Sequence, residues 1–331
     1  MKANISTEQE REYTIQVYRQ SWADIAKAFS IILLVSWHAE GFHWIFSYLR
    51  MPLFFLVSGF FAYSAMFKQP ARAFFVNKVG NMLYLYVVWS LIVTVFLYIY
   101  ADRGRVAYHF ENLAHIFWIP LPTLWFIYAL ACAFVLARLL RQLPFVPVLV
   151  ASLLAYALVD IDISGNVGFI DKFAKLFPFF WIGFKAREAV SALVTIVSSW
   201  FPLLFLVYFP LGYLGLSVPD TVFGYYFFVT GLIGIFAVLG LAKALESYRF
   251  SNFLAAIGGA TVYIYLMHRP ALYYFEGVLK KLNIDFVGIG ILKVTIIVLA
   301  CFYVGKWMKK TRGLHHLLSA PWVPEKTRVM K

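Results

Sequence analysis

Charged residues are scarce in this chain of 331 residues. They make up 14% of it and hydrophobic residues 62%, whereas about a quarter of the residues in an average soluble domain are charged. A chain with this composition has too few polar side chains to cover one soluble core. The composition therefore excludes a soluble globular fold and predicts a helical bundle in a lipid bilayer.

Cysteine and extramembrane sequence are scarce as well. The two cysteines, Cys132 and Cys301, lie inside apolar stretches, so we expect packing roles for both and no metal site. About 20 mostly polar residues precede the first apolar segment and no cleavage pattern follows it, which indicates a retained first helix. The longest outer connection, about residues 101–122, is too short to fold alone. Any chemistry is therefore expected inside the bundle.

The sequence also lacks an internal repeat and a matched pair of interrupted helices, an arrangement typical of many secondary transporters. A net charge of +13 would suggest nucleic-acid binding in a soluble protein. Here the basic residues lie between apolar runs, where they mark membrane topology. Membrane lipids, and no nucleic acid, are the expected surroundings.

About ten apolar runs are present, each near the length that a membrane-spanning helix needs. They are centred near residues 31, 56, 91, 131, 152, 180, 202, 231, 264 and 297. Prolines interrupt the runs near 152, 180 and 202, so eight or eleven spans remain alternatives. Lys and Arg concentrate in alternate connections, which predicts cytoplasmic termini. We expect a cytoplasmic tail over 1–20, an all-α transmembrane domain over 21–308 and a cytoplasmic tail over 309–331.

The first span carries the richest set of ionisable residues. Lys27 and His38 are eleven residues apart, which is about 20° from a whole number of helical turns, so they share one face. Asp24 lies on nearly the same stripe and is placed to pair with Lys27. The two ends of this stripe are roughly 16 Å apart, a distance that one elongated ligand spans. The alternative is that all three are interfacial residues reaching toward lipid headgroups.

The second span begins with a basic residue beside the outer end of the first. Arg50 is there either to bind an anionic substrate group or to anchor the interface. Further on, the Ser58-Gly59 pair offers a small surface where another helix approaches closely.

Three further ionisable residues are candidates for the same outer end. His268 closes a later span and Glu276 follows it by eight residues, while Glu40 follows His38 by two. Either Glu40 or Glu276 is a candidate for orienting the ring of His38. His268 is a candidate for a direct functional role at this end.

These residues belong to stretches that closely resemble the acyltransferase 3 family of membrane proteins. The stretches are Asp24-Ile-Ala-Lys27, the Lys27-x10-His38 pair, Met51-Pro-Leu-Phe-Phe-Leu-Val-Ser-Gly59, Pro122-Thr-Leu-Trp125-Phe-Ile127, Phe179-Phe-Trp-Ile-Gly183 and Gly258-Gly-Ala-Thr-Val-Tyr-Ile-Tyr-Leu-Met-His268. The likeness covers nearly the whole chain, and among the family's branches it is greatest to the fucose 4-O-acetylase-related group. Many relatives have Arg at the position of Lys27. A lysine can also bind phosphate, but as a point charge rather than through two parallel hydrogen bonds. We also expect no appended hydrolase-like domain, which some relatives have.

The resemblance implies a bundle of about ten helices in a bacterial inner membrane. It implies transfer of an acyl group, often acetyl, from cytoplasmic acyl-CoA to a hydroxyl of a carbohydrate acceptor, an O-acetyltransferase of the EC 2.3.1 type. Lys27 and Asp24 would then bind the donor, and His38 would be catalytic, either as a general base or as a carrier of the acyl group. The candidates for the acceptor or oxyanion site would be Glu40, Arg50, Ser58, His268 and Glu276. Acetyl-CoA would be a substrate, and no tightly bound cofactor is expected.

Two other function classes fit the same composition. A transporter or flippase of lipid-linked or exported glycans would use the buried charges to line a path and make no acyl bond. A non-catalytic scaffold of the cell envelope would tolerate loss of both Lys27 and His38. The acceptor glycan, the acyl chain and the oligomeric state are not specified by the sequence.

Overall fold

The computed structural model describes residues 21–39, 44–100, 113–160, 168–218, 220–284 and 288–323. These parts of the chain form helices, as predicted, because helices satisfy the backbone N–H and C=O groups without water. The helices are α1 (Ser21–His38), α2 (Ser47–Phe67), α3 (Gly80–Tyr100), α4 (Trp125–Leu140), α5 (Phe145–Asp160), α6 (Gly168–Lys185), α7 (Arg187–Val197), α8 (Phe201–Leu214), α9 (Asp220–Leu245), α10 (Ser251–Gly259), α11 (Thr261–Lys281) and α12 (Ile289–Lys310).

Each predicted span centre falls in a helix, but the helices differ in length and polarity. Within the described residues, four apolar helices are long enough to cross a membrane: Ser47–Phe67, Ala71–Ile99, Gly224–Leu245 and Ile289–Lys310. The bent pair α7 and α8 makes five if it counts as one span, with a bend of 101°. The number of ten crossings therefore stays a prediction.

Large apolar side chains cover much of the outer surface. Tyr98, Leu139 and Leu206 are 68%, 69% and 69% exposed, and exposed apolar surface on this scale suits contact with lipid rather than water. Aromatic rings fill much of the interior, where Phe55 and Phe134 meet the buried Phe180 edge to face. The chain is a multi-pass membrane protein with a packed aromatic core.

Helix α1 lies at the centre of the bundle and contacts α2, α9, α10, α11 and α12. Its closest neighbour is α10, because Gly258 lies directly against the backbone carbonyl of Asp24 and leaves no room for a Cβ atom. Small residues allow two helix backbones to approach in this way. The ionisable face of α1 is therefore enclosed by protein.

A carboxylate from another helix connection holds the start of α1. Glu246 accepts hydrogen bonds from the Ser21 hydroxyl and the Trp22 N–H, each 2.7 Å long, and from Lys243 at 2.6 Å. Burial alone would raise the pKa of Glu246, but these three donors outweigh it and lower that pKa. The ionised group also complements the positive end of the α1 dipole.

Helices α2 and α6 form the most extensive helix pair in the described bundle. A Cβ atom at Gly59 would collide with the Phe180 carbonyl, and one at Gly183 would collide with the Leu56 carbonyl. The predicted close approach at Gly59 is confirmed, and its partner is a second glycine on the facing helix.

After α12 the chain folds back across α3. We call residues 311–323 the C-terminal strap. Gly313, at a φ of 84°, makes the reversal in a region that favours glycine. Trp89 then donates to the Leu317 carbonyl at 2.7 Å, and Asn81 accepts from the Ala320 N–H at 2.7 Å. The strap is thus pinned to α3 at two points.

Candidate active site

The end of α1 meets the middle of α11 at a pair of basic residues. The Nη1 atom of Arg269 lies 3.2 Å from Nδ1 of His38. A guanidinium has only N–H donors, so Nδ1 must accept this bond. The neutral ring of His38 therefore carries its proton on Nε2.

A second imidazole lies next to the first, with the opposite arrangement of its proton. The rings of His38 and His268 have centroids 5.3 Å apart. Nδ1 of His268 lies 2.6 Å from the Tyr265 carbonyl oxygen, which only accepts, so Nδ1 carries the proton. Nε2 of His268 is buried and has no hydrogen-bond partner. The site thus contains one imidazole that donates through Nε2 and one whose Nε2 lone pair is unused.

Arg269 was not among the site residues expected from the sequence. Its Nη2 atom donates to the Tyr273 hydroxyl at 3.0 Å, and its Nε is buried without a partner. The signal in the sequence was the adjacency of an arginine to His268 inside an apolar helix, where ionisable groups are costly and usually functional.

Arg50 is close enough to His38 for the two to interact electrostatically. Its guanidinium stacks over the ring of Trp37 with 4.0 Å to the centroid, and its Nη1 is buried without a hydrogen-bond partner. Ser30 donates to the Arg50 carbonyl at 2.6 Å and joins α1 to α2 beside it. The structure therefore brings Arg50 to the cluster predicted around His38.

The other end of the α1 stripe is an ion pair. Nζ of Lys27 lies 2.5 Å from Oδ1 of Asp24, which confirms the predicted pairing. Lys27 also lies over the Phe61 ring, 5.0 Å from its centroid. Both charged groups are mostly enclosed, with side chains 18% and 6% exposed, so neither extends freely to the membrane surface as an interfacial residue would.

A cavity of about 1510 Å³ lies along α1 between these two ends. Asp24, Lys27 and Ser58 line it near one end. Leu34 and Tyr265 also line it. Leu34 lies one turn before His38, and the backbone carbonyl of Tyr265 accepts the hydrogen bond from His268. The cavity thus runs from the ion pair to within one helical turn of the two histidines.

The structure does not bring Glu276 to His38. Glu276 pairs with Lys293 of α12 at 3.7 Å, and it follows Arg269 by seven residues, about 10 Å along α11. Arg269 occupies the ring nitrogen that an orienting carboxylate would have used. Glu40, the other candidate for orienting the ring, lies outside the described residues.

The fold and this cluster define a class of protein: a multi-pass membrane protein whose ionisable groups gather inside the helical bundle, one helical turn from a cavity between the helices. The sequence profile of the acyltransferase 3 family, described as an acyltransferase domain, matches residues 20–306. Because the match covers most of the chain, this protein belongs to that family of membrane acyltransferases. Comparison with curated proteins and with solved structures finds no match.

Proposed function

We propose that this acyltransferase moves an acetyl group from cytoplasmic acetyl-CoA to a sugar hydroxyl of an exported or envelope glycan, in a bacterial inner membrane. The observation that carries the proposal is the cavity, which runs along α1 from Lys27 to within one helical turn of the histidine cluster. Its two ends suit the two ends of an extended thioester donor. The donor's phosphates would lie on the side of Lys27 and its thioester near His38.

The middle of the cavity fits the arm that joins those two ends. Ile31, Met51, Phe54, Phe126, Ile127 and Leu130 line it. An apolar wall with a few polar groups at its ends is typical of sites for small organic ligands.

The proton arrangement of the two imidazoles suggests separate roles. Attack of the acceptor oxygen on the thioester carbon requires a group that takes the hydroxyl proton, and Nε2 of His268 has an unused lone pair for it. As the tetrahedral centre forms, Nε2–H of His38 donates to the oxyanion. The carbon–sulfur bond then breaks, and the proton returns from His268 to the departing thiolate. We thus assign the base role to His268 and oxyanion stabilisation to His38.

Two arginines complete this assignment. Arg269 holds His38 in the tautomer that donates through Nε2. Arg50 has a buried N–H without a partner close to the same ring, which suits it to add a second donor to the oxyanion. The sugar acceptor itself follows from the family resemblance and would approach from the outer side.

The test is mass spectrometry of envelope and secreted glycans from cells that carry the wild-type chain, a deletion, or His38→Ala. We expect the mass of an acetyl group to disappear from one glycan in the deletion and in His38→Ala. Thr195→Ala, a polar change on the exposed surface of α7, should leave the glycan acetylated.

Other outcomes would overturn the proposal. Unchanged glycan masses with failed export or localisation would replace it with a transporter or flippase. An unaltered phenotype in His38→Ala and Lys27→Ala, with both proteins folded, would point to a scaffold.

A further inference from the structure

The C-terminal strap lies beyond residue 306, where the family match ends, yet it is built into the bundle. Besides its two bonds to α3, the Trp322 indole donates to the Val76 carbonyl at 3.1 Å and packs against Tyr84 at 5.3 Å between centroids. Leu318 and Ala320 are 6% and 2% exposed. The strap therefore has a defined position, and its side chains have defined surroundings.

The strap forms one wall of the cavity that contains Lys27. Arg312, His315, His316 and Trp322 all line it. The rings of His315 and His316 lie 3.9 Å apart, and Nδ1 of His316 is buried without a hydrogen-bond partner. This wall thus presents several nitrogen groups and an aromatic ring to whatever enters from the side of Lys27.

The charge around this part of the cavity is unbalanced. Among the described lining residues the cations are Lys27, Lys78, Lys309, Lys310 and Arg312. The carboxylate among them is that of Asp24, which is already paired with Lys27. A concave surface with an excess of positive charge concentrates anions, and arginine with imidazole and lysine is a combination suited to phosphate.

We propose that the strap is the subsite for the nucleotide end of the donor, which carries a pyrophosphate and a 3′-phosphate. Arg312 and His316 bind phosphate oxygens, and Trp322 offers a face for the adenine ring. This assignment rests on the proposed use of acetyl-CoA. An anionic lipid headgroup has the same phosphate chemistry, but these side chains line a cavity that continues along α1 to within one helical turn of His38, which favours the nucleotide.

The experiment measures binding of CoA itself to the purified full chain by isothermal titration in phosphatidylcholine nanodiscs, so no turnover is needed. We expect Arg312→Gln to weaken CoA binding about tenfold, the effect of losing one charge-assisted hydrogen bond. His316→Asn should weaken it less. Arg249→Gln removes the same charge from an exposed site outside the cavity wall and should bind CoA like the wild type.

A second donor separates the nucleotide from the thioester arm. S-Acetylpantetheine has the arm without any phosphate, so Arg312→Gln should raise KM for acetyl-CoA and leave both KM for S-acetylpantetheine and kcat unchanged. Equal changes of KM for the two donors, or none for acetyl-CoA, would overturn the assignment.

The lipid source is tested by adding phosphatidylglycerol to the nanodiscs. If Arg312→Gln alters retention of this lipid and not CoA affinity, the strap is a lipid site. If CoA does not bind even the wild-type chain, the proposed donor is wrong. If CoA binds the wild type and Arg312→Gln equally, only the strap assignment fails.

Discussion

At the residue scale, His38 and His268 differ because their neighbours differ. His38 faces a guanidinium, which can only donate, and His268 faces a carbonyl, which can only accept. Two identical side chains 5.3 Å apart are thereby held in opposite tautomers. The partners of the rings, rather than the rings themselves, decide which nitrogen has a lone pair for an acceptor hydroxyl.

Substitutions that each imitate one ring nitrogen test this assignment. His268→Asn keeps a donor near the Tyr265 carbonyl and removes Nε2, so we expect kcat to fall about 100-fold or more, the usual contribution of a general base. His38→Gln keeps an N–H near the Nε2 position and should retain more activity. Rates should be measured with acetyl-CoA in nanodiscs, beside thermal melts of both variants.

The pH dependence distinguishes the two roles further. A base works only when it is unprotonated, so the wild-type rate should fall as pH decreases through the range where that base gains a proton. The fall should vanish in His268→Asn and persist in His38→Gln. The reverse result would make His38 the base, which is one of the two roles that the family resemblance implied for it.

At the element scale, α2 and α6 are held together by backbone proximity at Gly59 and Gly183. Helices in lipid gain little from burying apolar side chains against each other, so close packing at small residues is a main source of their association. Any side chain at these positions must separate the two helices. This crossing also positions the cavity-facing Ser58.

We therefore expect Gly59→Ala to lower the free energy of unfolding by about 1–3 kcal/mol, the usual cost of overpacking a core. Gly277→Ala is the control, because a Cβ atom there meets open space on α11. It should be neutral or stabilise by roughly 0.5–1 kcal/mol, as alanine favours a helix over glycine. Thermal melting in detergent measures both, and equal melting temperatures for Gly59→Ala and the wild type would contradict the crossing.

At the scale of the whole molecule, the bent pair α7 and α8 decides the topology. Five predicted spans, centred near 152, 180, 202, 231 and 264, separate the α4–α5 connection from the α11–α12 connection. If the bent pair crosses the membrane once, these connections lie on opposite sides. If the bent pair enters the membrane and returns to the same side, only four spans separate the two connections, which then lie on the same side.

Cysteine labelling distinguishes these two topologies. In a background without Cys132 and Cys301, we expect a membrane-impermeant maleimide to label Lys281→Cys in intact spheroplasts. Gln142→Cys should react only after the membrane is opened, because the distribution of Lys and Arg predicts that its connection and both termini lie on the cytoplasmic side. Both side chains are exposed in the wild-type structure. If both cysteines were labelled equally before the membrane is opened, the two connections would lie on the same side. A topology of ten spans with an odd number between these connections would then be excluded.

The sequence by itself determined the membrane class, the positions of the helices, the shared face of Lys27 and His38, and the family. The first three depend on composition and on helical periodicity, which are local, whereas the family depends on short motifs such as Lys27-x10-His38. The likeness to the fucose 4-O-acetylase-related branch stays a prediction. So do the outer placement of His38 and the identities of donor and acceptor.

Only the tertiary structure decided which groups meet at the end of α1. Arg269 reaches His38 across 231 positions of sequence, while Glu276, on the same helix as Arg269, is drawn to Lys293 instead. The strap lines the cavity, although the sequence predicts a cytoplasmic tail there. Periodicity gives each helix a face but not its partner, because the partner depends on which backbones approach closely and which buried polar groups find each other.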